Sequence, residues 1–428
     1  MLFLVISTNY KTQFPYFRKV NLYLKKYGFQ PPKLSVNLDQ PVGIIIVIPC
    51  FNEAQTLATL VSLHSCDKPE SGFRVIVVVN QSENIEGEIA QRNKQTLQEM
   101  EDWKSHNPDF PLVIMKELAL PKKHAGVGLA RKIGMDEAVH IFHNTEQDGI
   151  IVALDSDCVV ETNYLTAIEN HFRTFHNSPG CSIRYAHPLD SEDELINNGI
   201  LQYELHLRYY NQALRFCQFP FAFHTVGSSM AVRSSAYQKQ GGMNKRKAGE
   251  DFYFLQKIIE LGGFTELNAT CVIPSPRVSD RVPFGTGKAI GDFISADVHT
   301  FFTYNFNSFR SLAVIPTWTK KLYLGQNPMH SNKSVQDFLI SINFENKVKE
   351  IKRNTSSFSK FEKRFFSFFN AFNVLKFTHY MRDYEFPNQP IEKEALRLLE
   401  EIGIEHKPKN AKETLMYYRE LDQKKWTL

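Results

Sequence analysis

Two aspartates, Asp155 and Asp157, stand two residues apart directly after an apolar run at residues 149–154. Carboxylate oxygens are the ligands that hard divalent cations such as Mg²⁺ and Mn²⁺ prefer. A cation held there would neutralise the charge of a diphosphate leaving group. The alternative is a simple turn, because Asp and Ser favour turns for local hydrogen-bonding reasons. We predict a metal site, because the pair follows a buried strand.

A second acidic pair, Glu250 and Asp251, opens a predicted helix at residues 252–261. A carboxylate in this position can act as a general base that takes a proton from a hydroxyl. The alternative is electrostatic, because acidic residues in a first turn also complement the helix dipole. We predict Asp251 as the base, with Glu250 beside it.

A loop rich in Pro, Gly and Arg runs through residues 274–291 and contains Arg281, Gly285, Gly287 and Lys288. Glycines allow a backbone to approach an anion closely, and Arg and Lys bind phosphate oxygens. The spacing is not that of a Walker phosphate loop. We predict that Arg281 and Lys288 contact a diphosphate or an anionic acceptor. The alternative is a solvated turn.

Buried strands alternate with helices in the first part of the chain, with strands predicted at residues 43–48, 74–80, 112–115 and 149–154. Continuous β-branched runs of this kind suit a parallel sheet that is covered on both faces. The fold class is therefore α/β, with ligands expected at the carboxyl ends of the strands. Asn52, Glu53, Asn80, Asp155 and Asp157 all fall at those ends.

Five segments together resemble family 2 glycosyltransferases of the GT-A fold, and the resemblance covers roughly residues 44–262. They are IIIVIPCFNEAQTLATLVSL at 44–63, RVIVVVN at 74–80, GVGLARKIGMDEA at 126–138, IIVALDSDCVVETNYL at 150–165 and VGSSMAVRSSAYQKQGGMNKRKAGEDFYFLQKI at 226–258. The resemblance implies a Rossmann-like, mostly parallel sheet flanked by helices. It also implies a nucleoside-diphosphate sugar as donor and Mn²⁺ or Mg²⁺ as cofactor.

The resemblance also implies roles for single residues. Pro49 and Glu53 match the turn that meets the nucleoside, and Arg131 matches a basic residue that borders the donor. Asp155 and Asp157 match the D-x-D motif of the family. The Asp251 position matches the base of inverting members, with Glu250 near the acceptor.

One position departs from the family pattern and leaves the nucleobase open. Where members often end the second strand in two aspartates, this chain has Asn80 and Gln81. An asparagine can accept or donate a hydrogen bond to a base. We therefore expect UDP as the default nucleotide, with GDP as the alternative.

Three histidines are candidates for secondary roles. Some GT-A enzymes add a downstream histidine as a third metal ligand, and His299 is our candidate, with His224 as the other possibility. His124 precedes a predicted helix and could meet a donor phosphate. The alternative for each is a packed histidine.

We expect three regions: an N-terminal extension at residues 1–42, a catalytic domain at 43–291 and a helical region at 292–428. The helical region contains a stretch at 358–372 in which Phe residues recur at helical spacing between Lys and Arg. Such a helix can lie on an anionic membrane. The alternative is that its Phe face packs on the catalytic domain or on a second subunit.

Composition excludes several classes of protein. The 428 residues carry 50 Lys and Arg against 46 Asp and Glu, which argues against a nucleic-acid binder. Six cysteines without a C-x-x-C pair favour reduced core thiols. No apolar run reaches the roughly 20 residues of a spanning helix, so we expect a cytoplasmic protein, with peripheral contact at the inner membrane face as a further possibility.

The sequence therefore predicts an inverting, metal-dependent glycosyltransferase that acts on an acceptor hydroxyl. One alternative is a retaining enzyme of the same fold with an anionic acceptor. Another is a nucleotidyltransferase, although the Gly-rich loop that it would need after the first strand is missing. A third is a non-catalytic scaffold in surface-polysaccharide assembly, against which the three intact aspartates argue. The oligomeric state is not assigned.

Overall fold

A twisted sheet forms the centre of the molecule in a computed structural model that describes residues 21–35, 42–279, 281, 285–404 and 408–424. Among these residues its strands are β1 (Ile44–Cys50), β2 (Phe73–Ser82), β3 (Leu112–Leu120), β4 (Ile150–Ala153), β5 (Cys158–Val160), β6 (Gly180–Tyr185), β7 (Met230–Arg233) and β8 (Thr265–Pro274). Their order is β3-β2-β1-β4-β7-β6-β8-β5. The first four run parallel, and β7 is antiparallel to both β4 and β6. The remaining pairs are β6 parallel to β8 and β5 antiparallel to β8.

Helices cover both faces of this sheet. Up to residue 295 they are α1 (Leu22–Tyr27), α2 (Thr56–His64), α3 (Gly87–His106), α4 (Val127–Asn144), α5 (Tyr164–Thr174), α6 (Glu194–Phe216), α7 (Ser234–Lys239), α8 (Glu250–Ile259) and α9 (Thr286–Ser295). Successive residues of a strand point to opposite faces, so β1 contributes to two cores. Ile45 and Val47 pack in the core that contains α4, whereas Ile46 and Ile48 pack with α2 and α3.

Helix α4 lies unusually close to the sheet, which brings its first turn to the strand ends. A Cβ on Gly134 would lie 2.4 Å from Cγ1 of Val47. Only a residue without a side chain allows this approach. Arg131, one turn earlier on α4, is thereby held against the carboxyl end of the sheet.

The rest of the chain is mainly helical. Its elements are β9 (Phe302–Thr303), α10 (Phe306–Leu312), α11 (Val314–Thr317), α12 (Thr319–Tyr323), α13 (Lys333–Ser341), α14 (Phe344–Arg353), α15 (Phe358–Phe368), α16 (Ala371–Tyr384), β10 (Gln389–Pro390), α17 (Ile391–Glu401) and α18 (Ala411–Gln423). The strands β9 and β10 form a short antiparallel pair. The predicted α/β sheet with a mainly helical C-terminal region is confirmed.

A buried network of charges attaches α18 to α6. Asp422 accepts hydrogen bonds from Arg208, from Gln212 Nε2 at 2.6 Å and from His224 Nε2 at 2.9 Å. Arg419 donates to both carboxylate oxygens of Glu204, at 2.7 and 2.9 Å. Paired and hydrogen-bonded charges can be buried in this way, whereas isolated ones cannot.

The Phe-rich helix α15 turns its apolar face into the protein. Phe361, Phe365 and Phe369 are fully buried, and Phe369 stacks on Phe219 with ring centroids 6.1 Å apart. This packing supports the interpretation that the Phe face covers the core rather than a membrane. Within the described part of the chain, no helix combines the length and the apolar character needed to cross a bilayer.

The N-terminal segment packs on α4 where it is described. The Tyr23 hydroxyl donates to Asp136 at 2.7 Å, and the backbone N–H of Lys33 donates to Glu137 at 2.6 Å. Residues 1–20 and 36–41 of the predicted extension lie outside the described residues. All six cysteines are buried and free, as predicted.

Three strands of the sheet were not predicted. They are β5, β6 and β8, and β8 mixes Thr, Glu and Asn with apolar residues. Such a strand has neither the alternation nor the β-branched run that marks a strand in a sequence. Between residues 225 and 233 only β7 is extended, and residues 227–229 form a turn.

Candidate active site

A cavity of about 1220 Å³ opens at the carboxyl ends of β1, β2 and β4. The turns after these strands, the N-termini of α4, α8 and α9, and one face of α6 form its walls. Predicted site residues on its wall are Pro49, Asn80, Arg131, Asp155, Asp157, Glu250, Asp251, Arg281 and Lys288. Residues from six separate segments of the sequence therefore meet at one place.

Two arginines of the loop after β8 join Glu53 to Asp157. Arg277 donates to Asp157 Oδ2 through Nε at 3.2 Å and Nη2 at 2.8 Å, and Nη2 also reaches Glu53 Oε2. Arg281 donates from Nη1 to the same Glu53 oxygen at 2.9 Å. Its Nη2 lies 3.5 Å from Asp157 Oδ2. Glu53 is fully buried, so these guanidinium groups neutralise a charge that water cannot reach.

Arg131 joins the two acidic pairs. It donates from Nη2 to Asp155 and from Nη1 to Glu250, and its side chain is almost fully buried. Gly227 leaves room for this guanidinium, since a Cβ there would lie 2.6 Å from Nη1. The two acidic pairs therefore form one group, which is connected through Asp155 and Glu250.

Burial and neighbouring carboxylates raise the pKa of the acids in this group. Asp157 has a pKa raised to about 6 by burial and by Asp155, with Arg277 acting in the opposite direction. Burial raises the pKa of Glu250 to about 7, against the influence of Arg131 and with that of Asp251. Burial also raises the pKa of Asp251. Acids tuned towards neutral pH suit proton transfer.

Asp251 stands in the first turn of α8 at the cavity wall. Its Oδ1 accepts a hydrogen bond from the backbone N–H of Phe252 at 2.7 Å. The carboxylate is half-buried and is not among the acids that Arg131 contacts by a hydrogen bond. The backbone of Gly227 also interacts with this carboxylate, which nevertheless lines the cavity and is accessible to a ligand.

Asn80 lies at the end of β2 and is almost fully buried. Within the described residues its Oδ1 has no hydrogen-bond partner. A buried carbonyl oxygen without a partner is costly, and a ligand N–H would satisfy it.

The other predicted residues lie in different surroundings. His299 packs on Phe293 and places Nδ1 2.9 Å from the Phe293 carbonyl, and His224 pairs with Asp422 at 2.9 Å. Across the described ranges, no three His, Cys, Asp or Glu side chains form a group that could hold a metal ion. Neither histidine therefore joins Asp155 and Asp157 in such a group. His124 lies just before α4, outside the cavity wall. Lys288 is on the wall and pairs with Asp292.

The sequence interpretation missed Arg277 as a partner of two acids, and it missed an aromatic end of the cavity. Arg277 belongs to the predicted loop, so its residue type was a usable signal. The aromatic end is formed by Tyr203, His206, Phe252, Phe293 and Phe301. No local pattern marks it, because its members come from three helices and one loop.

The D-x-D carboxylates fit a hard divalent cation by the chemistry of their donors. The guanidinium contacts use Asp157 Oδ2 and Asp155 Oδ1. The second oxygen of each carboxylate is outside these contacts, so Asp155 and Asp157 are the residues that would hold a cation.

Residues 45–241 match the family described as Glycosyl transferase family 2, so the predicted resemblance is confirmed. No curated protein matches the chain in sequence. Among solved structures, TarS residues 1–349 of S. aureus with UDP-GlcNAc has 14% identity and a TM-score of 0.41 over 76% of this chain and 90% of its own.

Two further structures show the same degree of similarity. A longer TarS chain from S. aureus has 14% identity and a TM-score of 0.37 over 65% of this chain, but the match spans only 44% of that TarS chain. A mannosyltransferase from Pyrobaculum calidifontis with GDP-Man and Mn²⁺ has 13% identity and a TM-score of 0.37, over 94% of this chain and 92% of its own. Similarity this loose carries no functional conclusion.

Proposed function

We propose, from the premise that residues 45–241 are a glycosyltransferase family 2 domain, that this chain moves a sugar from a nucleoside-diphosphate sugar to an acceptor hydroxyl. One observation carries the proposal beyond the family. Arg131 binds Asp155 of the D-x-D pair and Glu250 of α8, so the two acidic pairs lie side by side on the wall of one cavity. Cation chemistry and proton transfer can therefore act on the same ligand. The catalytic unit of this proposal is residues 43–291, and residues 292–428 support it and add Phe293 and Phe301 to the cavity wall.

The donor lies at the end of the cavity where β1, β2 and β4 stop. Pro49 and Asn80 meet the nucleoside, and the unpaired oxygen of Asn80 accepts from a base N–H. Glu53, predicted for the same role, is buried behind the wall and holds Arg277 and Arg281 instead. This suits the N3–H of uracil and the N1–H of guanine alike, so UDP and GDP both remain candidates. Arg281 and Lys288, together with Arg277, bind the diphosphate.

Asp157, together with Asp155, holds Mn²⁺ or Mg²⁺. The cation supplies Lewis-acid stabilisation of the charge on the departing diphosphate. His299 is not part of this set, because its ring packs on Phe293.

Asp251 is the general base of an inverting transfer. Its carboxylate takes the proton from the acceptor hydroxyl while the hydroxyl oxygen bonds to the anomeric carbon. The bond between that carbon and the diphosphate oxygen breaks, and the nucleoside diphosphate leaves with the electron pair. Burial raises the pKa of Asp251, and the Asp155 carboxylate adds to that rise. Asp251 in turn adds to the rise of the pKa of Glu250 beside it.

Nucleotide binding tests this function directly. The unfolding temperature is measured with UDP, GDP, CDP, dTDP and ADP, each with Mn²⁺ or with EDTA. A nucleotide at about a hundred times its Kd stabilises the fold by about 2.7 kcal/mol. We expect one nucleotide to do so, most strongly with Mn²⁺, and Asp157→Asn to remove the effect of the metal. If no nucleotide shifts the transition under any condition, the proposal is wrong.

A further inference from the structure

The cavity is larger than one small ligand requires. Its 1220 Å³ exceeds the range of about 300–1,000 Å³ that is typical of pockets for a single small molecule. The acids and arginines of the donor end occupy one part of the wall. The aromatic end, formed by Tyr203, His206, Phe252, Phe293 and Phe301, occupies another.

A chain of contacts places the aromatic end next to the proposed base. Glu250 and Asp251 are adjacent in α8, and Arg131 ties Glu250 to Asp155 of the donor end. Burial raises the pKa of Tyr203 to about 12, and the nearby Asp251 carboxylate adds to that rise. The ring of Phe301 lies 5.8 Å from that of Tyr203. Phe252 follows Asp251 directly in α8, and Tyr203 lies near the Asp251 carboxylate, so the aromatic end adjoins the proposed base.

The five residues of the aromatic end carry no charge near neutral pH. Four are Tyr or Phe, and burial lowers the pKa of His206 to about 4. The His206 ring packs 5.0 Å from Phe301, and its Nδ1 is 2.8 Å from the Thr303 hydroxyl. A phosphate or carboxylate on a ligand would find no counter-ion among these side chains, so they favour an uncharged ligand.

Two hydrogen-bonding groups on the cavity wall have no partner within the part of the chain that is described. They are Nε2 of His187 and the hydroxyl of Tyr185, and both side chains are buried. Nδ1 of His187 lies 2.9 Å from Glu204 Oε2, so Nδ1 carries a proton and donates it, and Nε2 is left as the hydrogen-bonding atom of the ring that faces the cavity without a partner. Arg208 and Arg419 hold Glu204 in its ionised form.

We propose that the aromatic end is the acceptor subsite and that it takes an uncharged saccharide, one of whose hydroxyls donates a hydrogen bond to Nε2 of His187. The inference rests on the proposed function, because it names the acceptor class for the same cavity. Aromatic faces cover the apolar faces of a sugar ring, and the buried acceptor and donor pair with its hydroxyls. A hydrocarbon chain would leave both groups unpaired.

His187 acts here as a specificity residue that depends on the C-terminal region. Arg419 of α18 donates to Glu204 and also to the His187 carbonyl, at 2.8 Å. Helix α18 therefore fixes the orientation of the His187 ring through Glu204, on the side of the ring away from the unpaired Nε2. A second hydroxyl of the saccharide, next to Asp251, is the one that reacts.

Saturation-transfer NMR on the full chain tests this proposal. The protein is loaded with Mg²⁺ and with whichever of UDP or GDP it binds. The probes are methyl glycosides of glucose, galactose, mannose and N-acetylglucosamine, the 6-phosphates of glucose and mannose, and farnesyl phosphate. We expect transfer to ring protons of at least one neutral glycoside and none to the phosphorylated probes.

Matched variants connect that signal to the aromatic end. His187→Asn keeps a donor for Glu204 but removes the acceptor at Nε2, and it should weaken glycoside binding about three- to tenfold. Tyr203→Ala should abolish the signal, whereas Tyr203→Phe, which keeps the ring, should retain it. The affinity for the nucleotide should be the same in His187→Asn, in Tyr203→Phe and in the wild type. An unchanged affinity also shows that these variants are folded.

Three outcomes would overturn the inference. They are a nucleotide-loaded protein that binds no neutral glycoside, one that binds only the phosphorylated probes, and a glycoside signal that survives both His187→Asn and Tyr203→Ala. A wild-type protein that binds no nucleotide at all is a different result, since it removes the proposed function itself.

Discussion

Arg277 binds Asp157 through two of its nitrogens, with Nε 3.2 Å and Nη2 2.8 Å from the same carboxylate oxygen, although 120 residues separate the two in sequence. This pair closes the loop after β8 over the end of β4. The Arg277 guanidinium neutralises the carboxylates of Asp157 and Glu53, and its positive charge could equally bind a diphosphate. We therefore expect Arg277 to exchange the carboxylates for phosphate oxygens when a nucleotide binds.

Replacing Arg277 should weaken nucleotide binding. Hydrogen bonds to charged groups contribute about 1.5–3 kcal/mol, so Arg277→Gln should raise the Kd of UDP or GDP by about ten- to a hundredfold. Isothermal titration calorimetry measures that constant. Arg310→Gln is the matched control, because Arg310 pairs with Glu401 on the surface of the C-terminal region. Equal affinities for wild type and Arg277→Gln would exclude Arg277 from the donor site.

Glu250 should make stability depend on pH. Its pKa is about 7 in the folded protein against an ordinary value of 4.5. Between these values the folded chain holds a proton that the unfolded chain releases, so stability falls as the pH rises from 4.5 to 7. The loss amounts to about 3 kcal/mol, and it is constant above that window.

Urea denaturation at pH 5, 6, 7 and 8 measures this dependence. Glu250→Gln removes the titrating group, so its curve should be flatter than that of the wild type. Glu88→Gln changes an exposed glutamate in the first turn of α3 and should leave the curve parallel to the wild type. Parallel curves for wild type and Glu250→Gln would contradict a raised pKa at Glu250.

The contact of α18 with α6 should depend on one carboxylate. The cations around Asp422 hold its pKa below its ordinary value. Asp422→Asn removes a buried charge from Arg208 and His224, and it should lower the free energy of unfolding by about 3 kcal/mol. Chemical denaturation checks this. Asp383→Asn breaks an exposed pair with Arg382 and should change stability far less. Similar losses in both variants would show that the Asp422 network does not hold α18.

The strands that carry the site could be predicted because their sequences are continuous β-branched runs. β1, β2 and β4 are buried on both faces, and such strands leave a strong pattern. Because the carboxyl ends of parallel strands meet at one edge of a sheet, these patterns alone predict that Asn80, Asp155 and Asp157 lie together. The first turn of α8 completed the set, because Glu250 and Asp251 open a clear apolar helix.

What could not be predicted depends on contacts between distant segments. The pairing of Arg277 with Glu53 and Asp157 is a property of how one loop closes, and the sequence of that loop does not encode its partner. The unpaired Nε2 of His187 is visible only once Glu204 is known to face Nδ1. The same holds for His299, which was predicted as a metal ligand. The turn after α9 places its Nδ1 beside the Phe293 carbonyl instead.

In the proposed reaction Asp251 removes the acceptor proton. The wild type and Asp251→Asn are compared by nucleoside-diphosphate release from the nucleotide sugar and by nucleotide binding. Loss of a general base lowers kcat by about 10²–10⁴-fold. We predict a loss in that range with an unchanged Kd for the nucleotide. Retention of wild-type turnover by Asp251→Asn would contradict the account.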